Sequence, residues 1–562
     1  GCEAERVWAL EVIGTSETAR CCRSTSQLVP LLEHLGGEAA VLRLLHLAEK
    51  ERERVLEMAE RPSVKLLHDL CRKSYPERGP TRQQLCTAKP VAEVNMLLAG
   101  FSPREEPYLA HKISRLLADK IKRVRLGSFP IPESAHLLGV ADPTGSLPEG
   151  CVCVVKRGDV MSDRDNVLLY RSPGIHPGDV RKAKIVTPPP ALVEALGRLG
   201  ERSSAIIFPT RGKRSLADEM AGGDLDGDTF NVIWDDKLVA ACQCEPALQD
   251  EEMLQVQAQA ATRAPANQPP EADEIIREKR LAALVHGIRL QDGCVGMSAN
   301  AWLRVAETVG AGDPRARKLA CTYAIALDAG KNGSAVPRRD PFKEPLPPHL
   351  RDHKCGSGEF HKWSKTAGQS ALARLHAFES APAGLQHVCP PALQRLLPPV
   401  FRDGAPRWEE QLNRTEKWRL LFKEYRNEVY EHLKHVEANG GSGDARQEGC
   451  DAIIETYRQK LMDEVDDDQW SDPPLDSPVL GAAAAIYCVT YQHEPREGEQ
   501  KGTFAWCVAW DLLCLLRVKL DALADVEAGG PKRAIMAVNP RVLASILAPK
   551  QKSTPASESQ EW

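Results

Sequence analysis

What this chain lacks narrows the field first. No stretch of its 562 residues approaches the ~20 consecutive apolar positions that a bilayer-spanning helix needs, so no membrane partner is expected. The longest candidate, VLGAAAAIYCV from Val479, reads as a buried helix or strand. Although there are 17 cysteines, no CxxC pair occurs. Adjacent Cys21 and Cys22, then Cys151/Cys153 and Cys242/Cys244, have no second ligand pair of the kind a structural zinc site needs. An odd number of unpatterned cysteines reads as reduced thiols, in cytosol or nucleus. A basic excess is also missing: 73 Lys and Arg against 78 Asp and Glu leave a net charge of −5. That does not advertise a nucleic-acid binder, although a channel can gather its cations locally. No internal repeat stands out, and the length suggests roughly three to five domains.

What is present centres on AGGDLDGDTFNVIW, from Ala221 to Trp234. Asp224, Asp226 and Asp228 alternate around Leu225 and Gly227, and like charges so close raise one another's pKa. A hard divalent cation with oxygen ligands relieves that repulsion, and Mg²⁺ typically adds waters and substrate phosphates to a few carboxylates. Gly227 lets the backbone curl so that alternate side chains converge. The flanks, Ser204–Phe208 and Thr229–Trp234, are rich in β-branched and aromatic residues and read as strands. The bland alternatives are a solvated acidic loop or a calcium turn. An EF-hand would need a longer ligand series ending in Glu between helices, whereas this series stops at three between apolar strands.

The loop and its surroundings resemble a family. DLDGD is similar to the signature loop of the cell-encoded, eukaryotic RNA-silencing RNA-dependent RNA polymerases. LLGVADPTGSLPEG (Leu137–Gly150) resembles that family's GxxDxxGxLxxG segment leading into the catalytic barrel. YRSPGIHPGDVR (Tyr170–Arg181) resembles KNPCxHPGDxR, and IIFPTRGKRSLADEMAGG (Ile206–Gly223) resembles FPxKGxRPHPNExSGS. In the last segment Leu216 stands in place of the family's His and Asp218 in place of its Asn. Further on, Gly296–Glu307, Lys318–Pro337 and Trp363–Leu375 resemble later family segments, as do AAIYCVTYQHEP and TFAWCVAWDLL. The resemblance runs from Leu10 to about Arg517.

It implies a mixed α/β fold, with a double-psi β-barrel catalytic module embedded between largely α-helical regions. Residues 1–125 are expected as a helical region before the barrel and 126–240 as the barrel with its metal loop. A linker at 241–274 follows, then a helical region at 275–380 flanking the active centre, a C-terminal helical region at 381–545 and a disordered tail at 546–562. The expected activity is RNA-directed RNA synthesis from NTPs on single-stranded RNA, giving double-stranded RNA for silencing. Asp224, Asp226 and Asp228 would be catalytic and hold Mg²⁺, with Mn²⁺ as an alternative. Silencing proteins are further expected partners. Gly1 stands where an initiator Met would, and Leu10–Gly37 resembles a segment between the family's two barrels. The expectation is therefore an N-terminally truncated chain without the first barrel, which in the family supplies basic residues to the active centre. Competing readings are a DNA-templated RNA polymerase subunit and a non-catalytic RNA-binding fragment or relative.

Four cations are candidates for substrate or RNA phosphate: Arg171, Arg211, Arg214 and Lys331. For Arg171 a salt bridge supporting the barrel is an equal reading, and for Lys331 a pairing with Asp328 at a helix end. His176 and Asp179 are expected to be structural, because an HPGD turn needs a stiff corner and local hydrogen bonds. Helical periodicity marks Leu28–Glu60 with a break at Gly36-Gly37, then Ser63–Lys73 and Ala110–Arg125. Ala110–Arg125 places Ile113, Leu116, Leu117, Ile121 and Val124 on one face and six cations on the other. That basic face is either a phosphate contact or a solvated surface. Between Leu126 and Trp234 the pattern turns β-rich, with Cys151–Val155, Asn166–Tyr170 and Ala183–Val186 as short strands and Pro189–Gly200 as an interrupting helix. Trp408–Val436 is the clearest later helix, and Asp466–Asp468 reads as a solvated charge run.

Overall fold

The computed structural model describes residues 20–60, 96–97, 99–156, 158–196, 204–249, 252–256, 294–332, 347–350, 370–378, 408–439, 443–463, 473–475, 477–493 and 502–527. The expected helix Ser63–Lys73, residues 257–274 of the expected 241–274 linker, the Asp466–Asp468 run and the polar tail lie outside them. The chain forms two compact units, one from Gly1–Val55 with Lys120–Ser380, the other from Leu56–Asp119 with Ala381–Trp562.

The first unit is built on strands β1 (Ser134–Ala141), β2 (Cys151–Lys156), β3 (Asp159–Val160), β4 (Arg164–Arg171), β5 (Val180–Ile185), β6 (Ala205–Phe208) and β7 (Thr229–Ile233). Their order is β3-β2-β5-β4-β7-β1-β6, and β2 also pairs with β6. That last pairing closes six strands into a barrel of the double-psi kind and leaves β3 as a short hairpin arm on β2. Pairs β1–β6 and β2–β5 are parallel, while β1–β7, β4–β7, β4–β5 and β2–β6 are antiparallel.

Period-two alternation fills the interior. Each barrel strand sends two side chains inward: Ala135 and Leu137, Val152 and Val154, Val167 and Leu169, Ala183 and Ile185, Ile206 and Phe208, Phe230 and Val232. Several outward positions are buried as well, among them Cys153, Val155, Leu168, Tyr170 and Ile207, which is why runs such as NVLLY and AIIF are continuously apolar. Cys153, Val155 and Ile207 pack with Leu192 of helix α3 (Pro190–Leu196). Leu168, Tyr170, Val180 and Ile233 join a second core with helix α1 (Leu28–Glu60) and with residues of 301–323. The predicted break in α1 falls at Gly37, whose φ of 55° and ψ of −151° are non-helical.

Several polar ties fix this packing. The Cys22 thiol donates to the Ala135 carbonyl at 3.0 Å, and the Cys22 amide donates to Ser134 Oγ at 2.7 Å. Arg43 of α1 grips the buried Asp235 with Nε and Nη2. Asp235 also accepts from the Leu238 amide at 3.0 Å, capping helix α4 (Asp236–Ala241). In helix α2 (Pro107–Arg125) the predicted apolar face is buried at Ile113, Leu117, Ile121 and Val124, while Arg115, Lys122 and Arg123 are exposed.

The second unit is helical, with α7 (Trp408–Ala438), α8 (Gly443–Met462), α9 (Pro478–Gln492), α10 (Thr503–Val508) and α11 (Trp510–Glu527); the labels α5 and α6 go to Pro314–Asn332 and Ala371–His376 of the first unit. The apolar run from Val479 is the buried helix α9. Among the described residues no helix is long and apolar enough to cross a membrane. The core of this unit holds a fully buried carboxylate. Glu106 accepts from Tyr487 Oη at 2.5 Å, Trp506 Nε1 at 3.2 Å, the Tyr108 amide at 3.2 Å, and Tyr491 Oη. Burial pushes its pKa up, and the hydrogen bonds from Tyr487 and Tyr491 pull the other way.

Replacing Glu106 with Ala would take the carboxylate acceptor from the buried Tyr487 and Tyr491 hydroxyls, each loss costing ~1–3 kcal/mol, while the Trp506 N–H keeps Tyr491 Oη at 3.1 Å. Glu106→Ala is expected to destabilise this unit by about 3 kcal/mol or more, and Glu106→Gln by less, since the amide oxygen still accepts. Urea unfolding followed by tryptophan fluorescence reads the difference.

Candidate metal centre

The segment from β6 to β7 caps one end of the barrel. Leu216, Ala217 and Met220 of its turn are buried against the barrel interior, so Leu216, where the family pattern has His, serves as packing. The chain then reaches Asp224–Asp228 before re-entering the sheet at Thr229. One oxygen from each of Asp224, Asp226 and Asp228 lies within 4.8 Å of the others. Asp224 and Asp226 are exposed, whereas Asp228 is half-buried.

Backbone geometry makes the convergence. Leu225 has φ of 59°, in the left-handed region that costs a non-glycine residue ~1 kcal/mol or more. Its side chain packs against the barrel core, which offsets that cost and turns the flanking carboxylates outward. Gly139 of β1 leaves the space it needs: a Cβ there would lie 2.4 Å from the Phe230 ring and 2.8 Å from Leu225 Cδ2. Gly227, at φ 135°, makes the second bend. The Gly139 amide donates to the Asp228 carbonyl at 2.9 Å and ties the loop to β1.

Arg171, the last residue of β4, reaches the same loop. Its Nη2 donates to Asp228 Oδ1 at 2.7 Å and its Nη1 to the Ala221 carbonyl at 2.7 Å. Asp228 Oδ2 accepts from the Asp224 amide at 3.0 Å. Behind Arg171 lies the HPGD turn. Asp179 Oδ2 accepts from the His176 amide at 2.8 Å, and Asp179 Oδ1 accepts from the Ala221 amide at 3.2 Å. His176 Nδ1 accepts from the Gly178 amide at 3.1 Å. Burial raises Asp179 to about 6 and lowers His176 to about 4, the latter helped by the positive charge of Arg317. Arg317 is itself paired with Glu245.

The other predicted cations stand elsewhere on this framework. Arg211 is exposed, and its Nε donates to the Gly145 carbonyl at 2.7 Å. It thereby leans on the loop that Asp142 organises by accepting from the Thr144 and Leu147 amides, each at 2.8 Å. Arg214 pairs with Asp218 at 2.5 Å and donates to the Leu248 carbonyl at 2.7 Å. Asp218, the second departure from the family pattern, thus has a partner within one turn. Lys331 lies in the last turn of α5 (Pro314–Asn332), and its side chain and that of Asp328 are outside the described residues. Sequence reasoning missed Leu225 and Gly139 as parts of the site. An apolar residue between two candidate ligands was the available signal for Leu225; Gly139 had none.

The donor set suits a hard divalent cation: three carboxylates converge, and two are exposed enough to leave room for water or phosphate. The family model described as RNA dependent RNA polymerase matches residues 2–374, and that of the RdRP head domain matches 419–528. Probable RNA-dependent RNA polymerase 3 of Arabidopsis thaliana is 27% identical over 528 residues, covering 91% of this chain and 48% of that protein. Probable RNA-dependent RNA polymerase 5 of the same plant is 29% identical over 444 residues, covering 75% of this chain and 40% of that protein. The chain thus spans about half the length of these curated relatives, or less. The solved structure of the RNA dependent RNA polymerase QDE-1 from Thielavia terrestris aligns with a TM-score of 0.55 at 16% identity, covering 94% of this chain and 59% of that one. At that identity the likeness supports the fold.

Two outcomes are expected from this geometry. Gly139→Ala forces its Cβ against Phe230 and Leu225, at a cost of ~1–3 kcal/mol. It should also weaken Mn²⁺ binding, read by electron paramagnetic resonance, because Leu225 is displaced between two ligands. Asp179 has a folded pKa of about 6 against an ordinary 3.8, so its stabilising contribution is full below pH 3.8 and is lost as pH rises through 6. Asp179→Asn should therefore gain on the wild type by up to ~3 kcal/mol between pH 4 and 7, at 1.36 kcal/mol per pKa unit. Urea unfolding at the two pH values measures this.

Proposed function

The chain belongs to the RNA-dependent RNA polymerase family, and on that footing we propose that it carries the metal-binding half of an RNA-synthesising active centre. The reaction is attack of an RNA 3′-hydroxyl on the α-phosphorus of an NTP, with pyrophosphate leaving, directed by a single-stranded RNA template and yielding double-stranded RNA. The convergence of Asp224, Asp226 and Asp228 on one point at the end of the barrel is the observation that carries this reading. Mg²⁺, with Mn²⁺ as an alternative, is the proposed occupant. When bound, such an ion lowers the pKa of the hydroxyl and neutralises charge on the triphosphate.

The chain's own contribution is to hold the reacting groups and to fix the ligands beforehand, since phosphoryl transfer relies on positioning and electrostatics more than on covalent chemistry. The exposed Asp224 and Asp226 face the substrate side, while Asp228 is held from behind. Arg211, exposed on the same β6–β7 segment, is the proposed contact for RNA or triphosphate phosphate, with Arg214 and Lys331 as further cations for the same purpose. We assign the activity to RNA silencing, in the cytosol or nucleus and with silencing proteins as partners.

The test is incorporation of labelled NTPs with Mg²⁺ on single-stranded RNA and, in parallel, single-stranded DNA, by the full-length protein. Incorporation on RNA, reduced more than about 100-fold by Asp226→Ala, is the expected result. Strong preference for DNA would move the protein to DNA-templated synthesis. Mn²⁺ and RNA binding without incorporation would make it a binding module.

A further inference from the structure

One guanidinium holds both ends of the metal loop. Arg171 donates to the Ala221 carbonyl before the triad and to Asp228 Oδ1 at its end, each at 2.7 Å. The Ala221 peptide is held on its other side as well, because its amide donates to the buried Asp179 at 3.2 Å. Asp228 is likewise held twice, by Arg171 on Oδ1 and by the Asp224 amide on Oδ2. A carboxylate oxygen accepts along two lone-pair directions, so each oxygen of Asp228 keeps one direction for a cation while its plane is set by the protein.

The pair is also partly withdrawn from water, with side-chain exposures of 20% for Arg171 and 12% for Asp228. A unit positive charge at this separation and partial burial is felt more strongly by the carboxylates than it would be in bulk solvent. It offsets one of the triad's three negative charges. The first effect sharpens the geometry for a metal ion; the second weakens the pull on it.

We propose that Arg171 is a positioning residue that acts on the metal through Asp228, aligning this ligand while holding down the triad's intrinsic affinity for a divalent cation. This rests on the reading of the triad as a divalent-cation site in a polymerase. The guanidinium fork matters because two acceptors, a backbone carbonyl and a carboxylate, are engaged by separate nitrogens in one plane. A lysine ammonium at this position retains the charge but not the fixed fork.

The experiment titrates Mn²⁺ without nucleotide by electron paramagnetic resonance, using the full-length protein, Arg171→Gln, Arg171→Lys, and Asp226→Ala as the control lacking a ligand. NTP incorporation is measured on the same samples. Arg171→Gln is expected to bind Mn²⁺ about three- to tenfold more tightly, because a charge that opposed the ion is gone. Its kcat should nevertheless fall ~10–100-fold, with KM for NTP changing less. Arg171→Lys should bind Mn²⁺ within about twofold of the wild type, since the charge is kept, and recover part of kcat. Equal or weaker Mn²⁺ binding by Arg171→Gln overturns the proposal. A large rise in KM with unchanged Mn²⁺ affinity also overturns it and makes Arg171 a substrate contact. Absence of Mn²⁺ binding in the wild type overturns both this proposal and the metal reading. The expected Mn²⁺ pattern without any incorporation supports the proposal and sinks the polymerase reading alone.

Discussion

Three carboxylates held within 4.8 Å of one another repel, and the surrounding structure is organised to hold them there. A flexible loop would let them drift apart. Here the loop is short of freedom at every point: the half-buried Leu225 packs against the barrel core, the Asp228 carbonyl is tied to β1, and Arg171 spans the two ends. The anchoring energy is mostly apolar and lies on the far side of the loop from the charges. That division lets the carboxylates face solvent while their backbone stays fixed.

Support for this loop extends in layers. The closed barrel has no free edge along its six-strand ring, and its interior is filled by paired side chains from each strand. The HPGD turn forms the next layer: it feeds directly into β5, buries Asp179 and hands a hydrogen bond to Ala221. Arg317 and Glu245 sit beyond it, and the charge of Arg317 helps to keep His176 neutral. The second unit solves a similar problem with another device. Its core carries one buried carboxylate, Glu106, satisfied by donors from α9 and α10, so a polar pin sits inside an aromatic core.

Much of the arrangement was legible in residue order. Alternating aspartates with a glycine between them announced a cluster that could hold a cation, and the β-branched runs on either side announced strands. The break at Gly36-Gly37, the buried helix from Val479 and the structural character of His176 and Asp179 were also readable, because each depends on chemistry within a few residues. Strand β5 begins at Val180, earlier than the expected Ala183, since the turn before it leaves no intervening loop. Leu225 as an anchor was harder to see. Its role depends on a hole opposite Gly139, 86 residues earlier in the chain, and periodicity carries no information about such a hole.

The sequence by itself determined the chemistry: which oxygen donors are present, how closely they follow one another, and which flanking segments prefer to extend. These are short-range properties, set by covalent spacing and side-chain type. Tertiary structure alone decided the order β3-β2-β5-β4-β7-β1-β6, the closure between β2 and β6, and the partners of the arginines. Arg171 and Asp228 are 57 positions apart, and Arg214 found Asp218 instead, four positions away. A guanidinium pairs with whichever acceptor the packed backbone brings within reach. Only the closed barrel, by placing the end of β4 beside the start of β7, made that acceptor Asp228.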